Sequence, residues 1–327
     1  MSTANVSAFE SNHGGNDLVL WPRSPFRLDL TVWALRRRSR NRIDRWDGTY
    51  RRALNVGGRV VTVQVEQRGG PDHPCLNVAA LNERDLSATD LASINRQLVR
   101  MLGLDVDLTG FYRLAEQNPR VAALADRLRG VKPPRFVSLF EAFANAIANQ
   151  QISLEVGIEL LNRFTEAFGN REVDRDGAGQ GDGDSLVAFP TPEAIVGVPI
   201  ADLRNLGFST RKAEYLISCA FAVATGAIDE ASLASSSRAA ATDMLTAMRG
   251  IGRWSAEYVL LRGLGRVDVF PADDVGARNK LERFFELSVA PNREQILALL
   301  EPFGSWAGML YFHLLLDGLD ERGDLDV

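Results

Sequence analysis

The stretch RGIGRWSAEYVLLRGLGRVDVFPADDVGARNKL, residues 249–281, decides the fold. Gly250 and Gly252 flank Ile251. Upstream, Leu245 and Met248 pack on one side of the turn; downstream, Trp254, Tyr258 and Leu261 recur at helical spacing. This predicts two helices joined by a turn that β-carbons would obstruct. The second helix would begin with unpaired amides and a partial positive charge, which suits it to grip a single phosphate without basic side chains. A plain glycine cap between two helices is the simpler reading of GIG taken alone. At the far end, Asp273 and Asp274 precede the apolar-periodic segment VGARNKLERFF, so either acid can serve as its N-cap.

The rest of the composition narrows the chemistry. The 327 residues are enough for more than one compact unit, and 46% hydrophobic with 24% charged residues is ordinary for a globular protein. No apolar run approaches the roughly 20 residues that span a bilayer. The polar start MSTANVSAFESNHGGND lacks the pattern of a secretory signal and reads as a disordered lead-in over residues 1–17, so a cytoplasmic location is expected. Cys75 and Cys219 are the only cysteines. They predict buried thiols, and they are too few for a disulfide framework, a four-cysteine zinc site or an iron–sulfur cluster. His13, His73 and His313 fall at no metal-ligand spacing and offer little to a Ser-His-Asp system. Acid/base work is left to carboxylates.

A net charge of −5 argues against coating nucleic acid through bulk electrostatics. The basic residues are nearly all arginine, the lysines being only Lys132, Lys212 and Lys280, and eight arginines crowd into RRRSRNRIDRWDGTYRR, residues 36–52. That run reads either as a local basic stripe or as a solvated face balanced by acids.

Along the chain, FRLDLTVW and RVVTVQVEQ favour extended structure, with Gly57 and Gly58 between them, which predicts an N-terminal α+β sheet domain over 18–110. Apolar residues then recur at three- and four-residue spacing, which predicts a helical region over 111–327 with the hairpin at 245–262. VDRDGAGQGDGDS, residues 173–185, reads as a flexible surface loop. Neither it nor GLGRVD at 263–268 meets the strand-before-glycine requirement of a dinucleotide site.

Seven blocks now combine: SPFRLDLTVWAL (24–35), TYRRAL (49–54), FEAFANAIANQQIS (140–153), FPTP (189–192), LGFSTRKAEYL (206–216), GIGRWSAEYVLLRGLG (250–265) and DVFPADD (268–274). In this order the chain resembles the helix-hairpin-helix DNA glycosylases, in particular the DNA-3-methyladenine glycosylase II group, over residues 20–318. The resemblance implies a mostly α fold with a small N-terminal α+β domain and two helical lobes flanking a cleft. It also implies a base flipped out of damaged double-stranded DNA, because its glycosidic bond is inaccessible inside the stack.

By position, Asp274 matches the catalytic aspartate, which leaves Asp273 to cap the following helix. A carboxylate facing the sugar would stabilise the positive charge that grows as the base departs and orient the attacking water. Trp33 and Trp254 fall where the family has pocket aromatics that select an electron-poor alkylated purine. Gly250, Gly252, Arg249, Arg253 and Ser255 fall on the DNA-binding hairpin, and Gln151 on the wedge that fills the vacated stack. The carbonyls of Thr246, Met248 and Gly250 match the ligands of a structural monovalent cation, Na⁺ or K⁺; no cofactor is implied for catalysis. Trp254 stands where lyase relatives carry a Schiff-base lysine, so hydrolysis without strand cleavage is implied.

Three positions depart from the pattern: Arg249 replaces a hairpin proline, Val275 an aromatic, and Gly304 an arginine. The expected protein is a monomeric, monofunctional DNA glycosylase for alkylated purines. The alternatives are a DNA-binding or damage-sensing module without catalysis, and a glycosylase for deaminated or oxidised bases.

Overall fold

The computed structural model describes residues 10–11, 17–81, 85–171 and 186–325. Six antiparallel strands form one sheet: β1 (Glu10–Ser11), β2 (Asp17–Leu20), β3 (Arg45–Trp46), β4 (Tyr50–Val56), β5 (Arg59–Arg68) and β6 (Cys75–Ala80), in the spatial order β1-β2-β6-β5-β4-β3. Gly57 and Gly58, both at positive φ, make the two-residue turn between β4 and β5. Such a turn matches the twist of the flanking strands. Glu10 and Ser11 pair with Val19 and Leu18, so part of the expected disordered lead-in is a strand. The 173–185 loop expectation falls outside the described residues.

The described chain also forms fourteen α-helices and, between the last two of them, a short 3-10 helix at Glu301–Trp306. In the first half these are α1 (Leu28–Arg36), α2 (Ala88–Leu102), α3 (Thr109–Ala115), α4 (Pro119–Arg127), α5 (Leu139–Ala148) and α6 (Leu154–Phe168). In the second half they are α7 (Ile200–Asn205), α8 (Thr210–Ala224), α9 (Glu230–Ser235), α10 (Arg238–Thr246), α11 (Arg253–Leu264), α12 (Val275–Phe284), α13 (Arg293–Leu300) and α14 (Ala307–Asp320).

FRLDLTVW is the clearest departure from the sequence reading, because it folds as α1 and not as a strand. Its apolar residues alternate because they serve two cores at once. Leu28, Val32 and Leu35 face one hydrophobic cluster, whereas Leu30 and Ala34 face the other. A helix buried on opposite sides has no polar stripe to reveal its period.

The first core joins the sheet to α2, α5, α6, α8, α10 and α11; the second joins α3 and α4 to α12, α13 and α14. The second lobe is therefore discontinuous in sequence, and the expected boundary at 110/111 falls inside α3. Helix α11 belongs to both cores through Val259 and Leu260 on one side and Leu261 on the other. It lies very close to α5: a β-carbon on Gly263 would meet that of Ala142 at 2.7 Å.

Candidate active site and nucleic-acid interface

The turn between α10 and α11 has the form read from the sequence, but its two glycines do different work. Gly250 sits at φ 88°, and a β-carbon there would fall 2.2 Å from the Tyr215 ring. Gly252 has φ −82°, ordinary for any residue, and an added β-carbon would meet nothing within 4 Å. What Gly252 leaves open is the approach to the N-terminus of α11. There the first intrahelical bond is Ala256 N–H to the Gly252 carbonyl at 2.9 Å, so the amides of Arg253, Trp254 and Ser255 have no partner within the helix.

Arg249 is exposed, pairs with Glu214 at 3.0 Å and lies over the Tyr215 ring; Arg253 is also exposed. Ser255 differs from its expected role. Its side chain is buried and its hydroxyl accepts from Gln150 Nε2 at 3.0 Å, so only its backbone amide is available to DNA. Gln150 also donates to the Gly250 carbonyl at 2.9 Å, tying the turn to the end of α5.

Asp274 is itself the N-cap of α12. Its Oδ1 accepts from the Ala277 amide at 2.8 Å, and its Oδ2 accepts from the Trp254 indole at 3.0 Å. One carboxylate thus combines the capping and the site positions that the sequence reading divided between two acids. Asp273 instead pairs with Arg293 at 3.0 Å, and the same arginine bonds the buried Glu257 of α11. That clamp fixes the strand of backbone leading into Asp274 against the hairpin helix.

A cavity of about 700 Å³ opens between the lobes, and Asp274, Trp254, Gln151, Tyr258, Tyr311, Lys280 and Arg37 all line it. The structure therefore brings together three of the residues selected from sequence, from three separate segments. Gln151 adopts φ 55° at the turn between α5 and α6 and is exposed at the mouth. Trp33 does not line the cavity; its ring packs against the second core and beneath the Arg36 guanidinium at 4.9 Å. Its place as an aromatic wall is taken by Tyr258, whose ring lies 5.5 Å from that of Trp254, and by Tyr311 of α14. The four-residue spacing of Trp254 and Tyr258 on one helix face could have revealed the first. Nothing local marks Tyr311. Burial pushes the Tyr311 hydroxyl well above its usual range, and the nearby Asp274 and Tyr258 add to that. Burial lowers the Lys280 ammonium, against an upward pull from Asp274.

The arginine-rich run 36–52 is divided: Arg36, Arg37 and Arg52 are buried, whereas Arg40 and Arg42 are exposed and part of the run is balanced by surface acids. Arg36 is buried and donates to the Arg38, Ser39 and Trp46 carbonyls; Arg38 pairs with Glu155, and Arg42 with Glu159. Arg52 is fully buried between Asp44 at 2.6 Å and Glu141 at 2.7 Å. Cys219 is buried, as expected, with its thiol pushed up to about 12 by desolvation, whereas Cys75 is only half-buried.

The carbonyls expected to hold a monovalent cation fit that use. Thr246 ends α10, Met248 O accepts from the Ile251 amide at 3.1 Å, and Gly250 O accepts from Gln150. Each carbonyl has two lone pairs, so these bonds leave one for an ion. Among the described residues no helix is long and apolar enough to cross a membrane.

Residues 144–304 match the model of the HhH-GPD superfamily of base excision DNA repair proteins. The chain is 31% identical over 211 residues to the DNA-3-methyladenine glycosylase of Bacillus subtilis (strain 168), covering 64% of this chain and 67% of that protein. It is 29% identical to DNA-3-methyladenine glycosylase 2 of Escherichia coli (strain K12), over 57% of this chain and 60% of that one. Among solved structures, the 3-methyladenine DNA-glycosylase from Archaeoglobus fulgidus superposes with a TM-score of 0.75 and 28% identity, covering 94% of this chain and 99% of the other.

Proposed function

The chain belongs to the HhH-GPD superfamily of base excision DNA repair proteins, and on that premise we propose that it is a DNA glycosylase that hydrolyses the N-glycosidic bond of alkylated purines. One observation carries the reading: a carboxylate with both oxygens fixed, Asp274, stands in an aromatic-walled cavity beside a helix N-terminus with open amides. The hairpin amides grip a phosphate of damaged duplex DNA, with Arg249 and Arg253 at the rim. Gln151 fills the stack, and the flipped base enters between Trp254, Tyr258 and Tyr311.

As the bond between C1′ and the base breaks, its electron pair leaves with the base and positive charge grows on the sugar. Asp274 stabilises that charge and orients the water that adds to C1′. The hydrogen bonds from Trp254 and Ala277 hold the carboxylate plane, so little reorganisation is needed at the moment of reaction. Thr246, Met248 and Gly250 would hold a monovalent cation, which would add positive charge next to the gripped phosphate.

The test is excision from a duplex carrying one methylated purine, scored as abasic sites. Excision by the native protein and its loss in Asp274→Asn support the reading; full turnover by the variant removes Asp274 from the mechanism. A pure binding module, the rival reading, would retain affinity and excise nothing.

The reading excludes strand cleavage. Trp254 occupies the position of a hairpin lysine, and Lys280, although it lines the cavity, has its stem packed at Gly318 of α14. Borohydride reduction in the presence of abasic DNA is expected to trap no covalent complex. A trapped complex that disappears in Lys280→Gln would overturn this part. The protein is expected to act as a monomer in the cytoplasm, bound to DNA when engaged.

A further inference from the structure

We infer that Arg37 makes this pocket selective for neutral alkylated bases that present a hydrogen-bond acceptor, in preference to cationic ones. The inference rests on the glycosylase reading and names the substrate class within it. Arg37 ends α1 at φ 63°, a strained conformation for an arginine, and is only 4% exposed, yet it lines the cavity. Among the described residues no carboxylate pairs with it. Among the described residues its side chain makes one hydrogen bond, from Nη2 to the neutral Asn145 at 2.9 Å, and its Nε is buried without a partner. A buried guanidinium left with spare donors is costly unless something else accepts from them.

The surroundings add to this. Arg37 opposes the charge of Arg262, which is fully buried with its Nη1 and Nη2 donated to the Ala34 and Leu35 carbonyls and its Nε without a partner. Lys280 brings a further cation to the wall. On the acidic side, Asp273 is engaged by Arg293, which leaves Asp274, the residue that faces the sugar. The pocket floor is thus cationic and rich in donors, with the buried and unpartnered Tyr258 hydroxyl among them.

A base that carries a fixed positive charge meets like charge there, although the Trp254 and Tyr258 rings attract it. A neutral base gains a partner for Arg37. It also needs one more. A cationic base leaves readily, whereas a neutral base departs with an electron pair it must stabilise, and a hydrogen bond donated by Arg37 to its acceptor strengthens as that charge develops. The departing base then takes its proton from solvent, and water supplies the hydroxyl at C1′.

The experiment compares kcat/KM on two duplexes, one containing 1,N6-ethenoadenine, which is neutral, and one containing 7-methylguanine, which is cationic. The native protein is expected to favour the neutral lesion. Arg37→Met should lose at least about tenfold on ethenoadenine while its rate on 7-methylguanine holds or rises, and Arg37→Lys should recover part of the loss. Lys280→Met, on the half-buried wall, should shift the ratio the same way and tests the electrostatic argument should the Arg37 variants not fold. Preference for 7-methylguanine in the native protein, or equal losses on both lesions in the variants, overturns the inference alone. Excision of neither lesion removes the glycosylase reading together with it.

Discussion

Asp274 carries two jobs that can be separated by substitution. Asparagine caps a helix about as well as aspartate, so Asp274→Asn should change folding stability by less than about 0.5 kcal/mol while excision is lost. Asp274→Ala should lose excision and also about 1 kcal/mol of stability, read as an earlier thermal unfolding midpoint. If both variants melted alike, the Ala277 bond would not matter to the fold. The sequence could not assign the two adjacent acids, since either can cap, and only the position of Arg293 some twenty residues later draws Asp273 away.

At the same scale, His313 predicts a pH dependence. It is fully buried, bonds the Met309 carbonyl at 2.8 Å and has its pKa lowered to about 4 by desolvation. Its folded-state value lies below the unfolded one, so its effect is absent above pH 6.5, and stability falls as pH drops from 6.5 to about 4 because the unfolded chain binds the proton first. The loss should approach about 1.4 kcal/mol per pH unit within that window, and His313→Phe should flatten this part of the profile in chemical denaturation.

Among elements, the hairpin was the most legible because its signals are local: two glycines, a helical period on each side, and a fixed distance to the next cap. Its inner division of labour was not legible. Gly250→Ala should destabilise the protein by about 1–3 kcal/mol, from left-handed backbone strain and from overlap with Tyr215. Gly252→Ala should fold within about 0.5 kcal/mol of the native protein yet bind duplex DNA more weakly, because its methyl group stands where a phosphate approaches. Thermal melting and fluorescence anisotropy on the pair would check this; equal affinities in native protein and Gly252→Ala would mean that the amides of α11 do not face the backbone. Helix α1 was misread for the opposite reason. Its period is masked by burial on both sides, and that burial depends on elements hundreds of residues away.

For the whole molecule, a net charge of −5 is compatible with a phosphate grip made by the backbone amides of α11, and the 36–52 arginines add little to it, since Arg36, Arg37 and Arg52 are buried and Arg38 and Arg42 pair with acids. Arg52 is the extreme case, holding Asp44 and Glu141 in a fully buried triad to which the Tyr50 hydroxyl adds a bond to Asp44 at 2.8 Å. Burial raises the Glu141 carboxyl, and Arg52 offsets part of that. Arg52→Met would strand two acids beneath the sheet and should cost about 3–5 kcal/mol, measured by denaturant titration; a variant as stable as the native protein would mean that both acids are neutralised without it. The cleft as a whole was only partly legible. Trp254, Asp274 and Gln151 announced themselves by motif, but Arg37, Lys280 and Tyr311 meet only because α1, α12 and α14 converge.

The second lobe is assembled from two separated pieces of chain, α3 and α4, which lie between α2 and α5 of the first core, and α12 to α14, which follow that core. During synthesis, α3 and α4 leave the ribosome long before their partners and must wait, with Phe111, Leu124 and Leu128 exposed, until α14 emerges. The first core contains almost everything it needs once α11 is made. The cleft therefore closes last, and a nascent or truncated chain that stops short of α14 carries the hairpin without a formed pocket behind it, able to meet DNA before it can process it.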